Sequence, residues 1–163
     1  MYKIGIITVS DKGARGERVD ESGPAIREMV KSLGEVTGYV VVPDELDLLK
    51  EAMIRMADKE KINLILTSGG TGLSPRDNTP EATLAVIQKE VPGLAEAMRV
   101  ESMKKTNRAM LSRAVAAIRN STLIINLPGS VKAVRECLAV IMPALPHGLE
   151  ILTGRGGECG SAE

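Results

Sequence analysis

The sequence predicts an α/β protein built on a mostly parallel central sheet, and three observations carry that expectation. Residues 4–9, 36–42 and 63–67 are short apolar runs without alternation, the pattern of parallel strands covered on both faces. Between them lie two segments of helical apolar spacing, first Ile26, Met29, Val30 and Leu33, then Leu49, Ala52, Met53, Met56 and Ala57 across 45–60. The resulting order, β-α-β-α-β, is that of a mononucleotide-binding half-sheet with right-handed crossovers.

Local signals punctuate each element. Ser22-Gly23-Pro24 supplies a helix start and Gly34 a stop. Helices are expected over about 80–90 and 93–105, split at Val91-Pro92-Gly93 because a proline disfavours helix at the residue before it. Residues 114–118 and 122–127 flank Arg119-Asn120-Ser121, a tight-turn signal that predicts a hairpin. After Pro128-Gly129-Ser130, the positions Val134, Cys137, Leu138 and Ile141 return to helical spacing, and a last helix is expected from about Pro143 to Leu152. A single domain over 1–153 is therefore expected, followed by a flexible tail, 154–163, of glycines and small polar residues.

Composition excludes several partners. The 163 residues, 44% of them apolar, suit one domain with a core of its own. Twenty-one basic side chains balance 21 acidic ones, so there is no cationic surplus for a polynucleotide or an anionic membrane. With two tyrosines and neither Phe nor Trp, no platform for stacking bases exists either. The apolar run 4–9 is too short for a signal-peptide core, and the longest apolar stretch, Leu138 to Pro146, carries two prolines and falls short of the ~20 residues of a membrane span. Cys137 and Cys159 form neither a CxxC site nor a disulfide framework. A cytoplasmic protein, free of nucleic acid and membrane, is the expectation.

Ligands of open α/β sheets bind outside the carboxyl ends of the strands, so the residues after each strand decide the chemistry. The first strand leads into Ser10-Asp11 and a polar loop running to Ser22, the second into Pro43-Asp44-Glu45, and the third into Ser68-Gly69-Gly70-Thr71-Gly72-Leu73-Ser74-Pro75-Arg76-Asp77. The strand near 122–127 delivers Pro128-Gly129-Ser130 into a helix. Glycines lacking Cβ let several backbone N–H groups face one anion, phosphate above all, although the same residues also make a simple tight turn. The loop is neither GxGxxG nor a P-loop, which leaves a nicotinamide enzyme or a P-loop ATPase without support.

Two carboxylates accompany this loop. Asp77 is left free because Thr79 suits an N-cap and Pro80 the first helical position, whereas Asp44 serves either as a cap for the 45–60 helix or as a pocket group. Beside a phosphate pocket, such a pair suits one Mg²⁺ bridging nucleotide phosphates. Arg76 either neutralises charge there or is merely solvated, and Ser130 either helps an anion site at a helix N-terminus or only caps it. Asn107, Arg108, Ser112 and Arg113 either line the pocket or form a solvated loop. His147, the only histidine, has no visible metal or triad partner and is read as structural. Met98, Met103, Met110, Met142 and Leu149 exceed what one sheet face needs, so they either close an interface between copies or fill core gaps.

In their order, Ser10-Asp11, Pro43-Asp44-Glu45, Thr67-Ser68-Gly69-Gly70-Thr71-Gly72, Arg76-Asp77-Asn78-Thr79-Pro80-Glu81-Ala82, Leu111-Ser112-Arg113 and Asn126-Leu127-Pro128-Gly129-Ser130 resemble the molybdopterin adenylyltransferase family of bacterial Mog-type proteins, related to MoaB and the gephyrin G domain. The resemblance spans about residues 3–152. It implies a three-layer α/β/α sandwich with a Rossmann-like start and a short β-hairpin, a homotrimer, and transfer of AMP from Mg-ATP to the terminal phosphate of molybdopterin with release of pyrophosphate. By the same resemblance Asp44 and Asp77 are the catalytic pair acting on Mg²⁺, and product passes to a molybdenum insertase. Ser10, Asp11, Ser68, Gly69, Gly70, Thr71, Gly72, Ser112, Pro128, Gly129 and Ser130 are the implied substrate-binding residues. The alternative is a MoaB-like protein that binds molybdopterin or acts as a scaffold without catalysis.

Overall fold

The computed structural model describes residues 1–156. Four strands form its parallel part: β1 (Tyr2–Val9), β2 (Gly34–Val42), β3 (Leu64–Ser68) and, after two short strands β4 (Lys89–Glu90) and β5 (Ala116–Arg119), β6 (Thr122–Leu127). The spatial order is β2-β1-β3-β6-β5-β4, with β2, β1, β3 and β6 parallel to their neighbours and the β6/β5 and β5/β4 pairs antiparallel. The expected mostly parallel sheet and hairpin are therefore present. The hairpin turn is a residue tighter than the sequence suggests: Arg119 pairs with Thr122 and only Asn120-Ser121 remain outside the ladder. Asn120 takes φ of 52°, a left-handed conformation that asparagine tolerates better than most residues.

Unalternating apolar strands are explained by cover on both faces. Ile4, Ile6, Leu64, Leu66, Leu123, Ile125 and Leu127 pack on one face with α2 (Ser22–Met29), α5 (Pro92–Met103), α6 (Val131–Ile141) and α7 (Leu145–Leu152). Ile7, Val9, Ile65 and Ile124 point to the other face, against α3 (Leu46–Ile54) and α4 (Thr79–Val86). The result is a three-layer α/β/α arrangement. A four-residue helix, α1 (Asp11–Ala14), interrupts the long loop after β1, and a 3₁₀ turn spans Asn107–Leu111.

Three elements differ from the sequence reading. The helix expected over 80–90 stops at Val86, because the next backbone groups are taken by the sheet edge: Gln88 N–H donates to Ile118 O (2.9 Å) and Val91 N–H to Ala116 O (2.8 Å), which makes Lys89–Glu90 the strand β4. The 45–60 helix is α-helical only to Ile54 and ends as a π-helical turn, Arg55–Lys59. Gly34 opens β2 instead of stopping a helix. A Cβ there would lie 2.1 Å from Tyr2 O, so close pairing of β2 with β1 requires glycine.

At the carboxyl end, Gly154–Gly156 stay against α7, with Arg155 N–H donating to Glu150 O (3.0 Å) and its guanidinium 5.2 Å from the Tyr2 ring centroid. The rest of the expected tail, with Cys159, lies outside the described residues. His147 is exposed on α7. Cys137 and Met98 are buried in the first core, whereas Met103 and Met110 are exposed at 41% and 63%. Among the described residues no helix is long and apolar enough to cross a membrane.

Candidate active site

Strand β1 is joined through α2 to β2 on one side and lies beside β3 on the other, so the chain leaves the carboxyl ends of β1 and β3 in opposite directions. That divergence opens a crevice where ligands of such sheets settle. Here it is a cavity of about 760 Å³ whose wall includes Ser10, Asp11, Asp44, Ser68, Gly69, Gly70, Asp77, Gly129 and Ser130, residues the sequence singled out on four separate loops. Lys12, Arg18, Asp20 and Glu21 also line it. Thr71, Gly72, Ser112 and Pro128 line a second cavity of about 300 Å³, together with Met98, Arg99, Arg108 and Cys137. The glycine loop is thus the partition between two cavities.

Backbone geometry explains why the loop is glycine. Gly69 and Gly70 have φ of 101° and 69°, in the left-handed region. A Cβ on Gly69 would meet Val9 O at 2.5 Å; one on Gly70 would meet Thr79 Oγ1 at 2.2 Å and Asp44 Oδ1 at 3.0 Å. Gly72 has an ordinary φ, but a Cβ there would press on Asp77 Oδ2 at 2.9 Å. The loop is sewn down by its neighbours: Ser68 Oγ donates to Pro128 O (2.8 Å), Gly69 N–H to Leu127 O (3.1 Å) and Thr79 N–H to Gly70 O (3.1 Å).

Thr79 does not cap α4. Its buried hydroxyl donates to Gly69 O at 2.9 Å, and the residue before it, Asn78, makes no side-chain cap either. Asp77 Oδ2 accepts from Ser74 N–H (2.9 Å), which holds the carboxylate at the cavity rim. Asp44 is not a cap: the residue before α3 is Glu45, without a capping bond, and Asp44 faces the cavity. Burial, and then the negative charges of Asp11 and Asp77, push the Asp44 carboxyl above its ordinary range. The two carboxylates expected to act together do repel each other across one space.

Arg76 is exposed but not free. Its Nε and Nη2 donate to Asp11 at 2.7 and 2.8 Å, and Asp11 Oδ1 also accepts from Asp44 N–H (3.0 Å). The Arg76 hydrogen bonds, then the Asp44 N–H, hold the Asp11 carboxyl down at about 2. Because the folded value is depressed, the small stability this solvent-screened group adds is complete above the ordinary carboxylate range and is lost as pH falls through about 2. The ¹³C shift of the Asp11 carboxyl should accordingly titrate near pH 2 and not near 4; an ordinary midpoint would show that the pair is absent in solution.

Ser10 and Ser130 cap α1 and α6, accepting from Gly13 N–H (3.0 Å) and Ala133 N–H (3.3 Å), and both also line the first cavity. Arg113 braces the loop from behind, donating to Gly72 O and Asp77 O at 2.8 Å each and pairing with Glu81. Asn126 is buried and serves register, donating to Thr67 and Thr83 hydroxyls at 3.0 Å. Sequence reasoning missed Asp20, a residue of the cavity wall that accepts from Thr8 Oγ1 (2.8 Å), the Ser22 and Gly23 N–H groups and the Tyr39 hydroxyl. Its place two residues before Ser22-Gly23-Pro24 was the available signal. Despite burial, those hydrogen bonds hold its carboxyl below the usual range.

Among the described residues no group of three or more His, Cys, Asp or Glu side chains is arranged to hold a metal alone. Asp44 and Asp77 nonetheless fit Mg²⁺ of the kind that takes one or two carboxylates and completes its shell with phosphate oxygens and water.

A doubly covered α/β sheet with a glycine partition and opposed carboxylates at its switch point places the chain in the class of open α/β proteins whose ligands sit outside the carboxyl ends of the strands. Within that class the family is specific: residues 5–147 match the family model described as "Probable molybdopterin binding domain". The chain is 44% identical over 154 residues to a molybdopterin adenylyltransferase of Helicobacter pylori, covering 93% of this chain and 88% of that protein. The crystal structure of the molybdopterin biosynthesis enzyme MoaB from Thermus thermophilus is 54% identical, with TM-score 0.89 and coverage of 94% and 98%. The tungsten cofactor synthesizing protein MoaB from Pyrococcus furiosus is 38% identical with TM-score 0.86, covering 93% and 97%. The chain belongs to the molybdopterin-binding family of molybdenum cofactor biosynthesis proteins.

Proposed function

We propose that the protein is a molybdopterin adenylyltransferase that uses Mg-ATP. The observation that carries the reading is the pair of carboxylates, Asp44 and Asp77, on the cavity side of a glycine partition with a second cavity behind it. A binding or scaffold protein has no need of two mutually repelling carboxylates in one crevice. The nucleotide triphosphate occupies the larger cavity, and molybdopterin reaches the partition from the smaller one, where Ser112, Thr71 and Arg99 offer polar groups among apolar walls.

Asp44 and Asp77 would hold Mg²⁺ together with the nucleotide phosphates, and the ion would supply neutralisation of the phosphate charge. Backbone N–H groups of Gly70, Thr71 and Gly72 orient the terminal phosphate of molybdopterin toward the α-phosphorus; a new P–O bond forms there as the bond to the pyrophosphate oxygen breaks. Positioning and electrostatics provide most of the catalysis in such transfers. Adenylyl-molybdopterin then leaves for a molybdenum insertase.

Incubation of purified protein with molybdopterin and Mg-ATP tests the reading: mass spectrometry should find adenylyl-molybdopterin and equimolar pyrophosphate. Binding of molybdopterin without either product would leave the scaffold reading in its place. The assembly is a homotrimer in this proposal, closed by surfaces that include Val100, Met103, Met110 and Leu111, exposed at 41–63% in the single chain. Sedimentation equilibrium at micromolar concentration should give about three times the 17.3 kDa chain mass; a monomer throughout that range would refute it.

A further inference from the structure

Asp44 and Asp77 stand on different loops, after β2 and near the end of the loop after β3, and their charges oppose each other. Mutual repulsion pushes such loops apart. The side chain that ties them belongs to a third loop: Asp11 accepts from the backbone N–H of Asp44 at 3.0 Å and, through both oxygens, from the guanidinium of Arg76, the residue immediately before Asp77, at 2.7 and 2.8 Å. A two-pronged pair of this kind fixes direction as well as distance. We propose that Arg76 and Asp11 are positioning residues, a clamp that sets the separation of Asp44 and Asp77 to the span of one metal–nucleotide complex.

Exposure argues that position, not stability, is what the clamp supplies. The side chains of Arg76 and Asp11 are 57% and 27% exposed, and solvent-screened ion pairs of this kind stabilise folds little. Arg76 spends Nε and Nη2 on Asp11, which leaves it poorly placed to serve as a direct phosphate ligand. Asp11, for its part, has both oxygens engaged by protein donors, so it acts on the substrate through Asp44 and Arg76.

The clamp rests on the proposed Mg-ATP reading, and its test separates the two. Steady-state kinetics and calorimetric titration with Mn²⁺ plus α,β-methylene-ATP are run on wild type, Asp11→Asn, Arg76→Ala, Arg76→Lys, the Asp11→Asn/Arg76→Ala double variant and Asp77→Asn. Misplacing a reacting geometry by about 1 Å costs about 10²-fold in rate. Asp11→Asn and Arg76→Ala should each lose kcat on that scale and weaken nucleotide binding several-fold, with KM for molybdopterin unchanged and melting temperatures near wild type. The double variant should be no worse than the poorer single one, and Arg76→Lys should recover only part, since an ammonium lacks the planar fork. Additive losses, or wild-type kcat and nucleotide affinity in Asp11→Asn, would overturn the clamp. A rise in ATP KM confined to Arg76→Ala would do the same, by making Arg76 a direct phosphate ligand. Wild-type binding and turnover in Asp77→Asn would instead remove the reading beneath it. If wild type forms no product, the nucleotide titration still judges the clamp.

Discussion

Replacing Asp44 or Asp77 by asparagine should reduce adenylyl transfer by about 10³-fold or more, the equivalent of about 4 kcal/mol of transition-state stabilisation, while the protein stays folded. Asparagine keeps the shape of each side chain and removes only its charge, so the loss reports the metal–phosphate interaction and not packing. Both side chains lie at the rim, partly exposed, outside either hydrophobic core. Asp44→Asn also removes the source of a repulsion with Asp11 and Asp77, so its melting temperature should equal or exceed that of wild type. Rate assays with molybdopterin and Mg-ATP, beside thermal unfolding of the same samples, check both halves. Turnover within a few-fold of wild type in both variants would sink the catalytic assignment.

Gly70→Ala should be strongly damaging to both fold and activity. Its φ of 69° places an alanine in the left-handed region at about 1–2 kcal/mol, and the added Cβ lies 2.2 Å from the buried Thr79 hydroxyl oxygen and 3.0 Å from Asp44 Oδ1. Relief of that contact must break the hydrogen bond from Thr79 Oγ1 to Gly69 O or displace Asp44. A combined loss of about 3 kcal/mol in stability is expected, with activity falling further than folding alone explains. Gly148→Ala is the matched control: it lies in α7 with nothing within 4 Å of the added methyl, and should stabilise by about 0.5–1 kcal/mol. Chemical denaturation of the two variants decides the matter, and equal stabilities would mean the loop relaxes freely around position 70.

The expected loop chemistry and its tertiary setting agree unevenly, and particular residues show why. Alternation was absent from 4–9 and 63–67 because both sheet faces are covered, so the strands and their parallel direction were legible from pattern alone. The site loops were legible for the same reason: parallel strands end at one rim, which gathers Ser10, Asp44, Ser68 and Gly129 whatever the sequence distance between them. Helix pattern near 80–90 misled because Lys89–Glu90 takes its partners from β5, a choice made by a strand some 27 residues onward. Thr79 misled in the same way. Its local signature is that of a cap, but burial beside the glycine loop gave its hydroxyl a nearer acceptor in Gly69 O.

By itself, then, the sequence determined the order of the main strands and helices apart from α1 and β4, the hairpin, the glycine loop and the carboxylates that follow β1, β2 and β3, because these depend on periodicity and on residues adjacent in the chain. Tertiary structure alone decided which of those groups are free. Pairing ties Arg76 to Asp11, a shared crevice raises Asp44 against its acidic neighbours, the cavity wall recruits Asp20, and the glycine loop sorts Ser112 into a different cavity from Ser10. Electrostatic and hydrogen-bond partners are set by distance in space, and residues 11, 44 and 76 become neighbours only when the sheet brings three strand ends together.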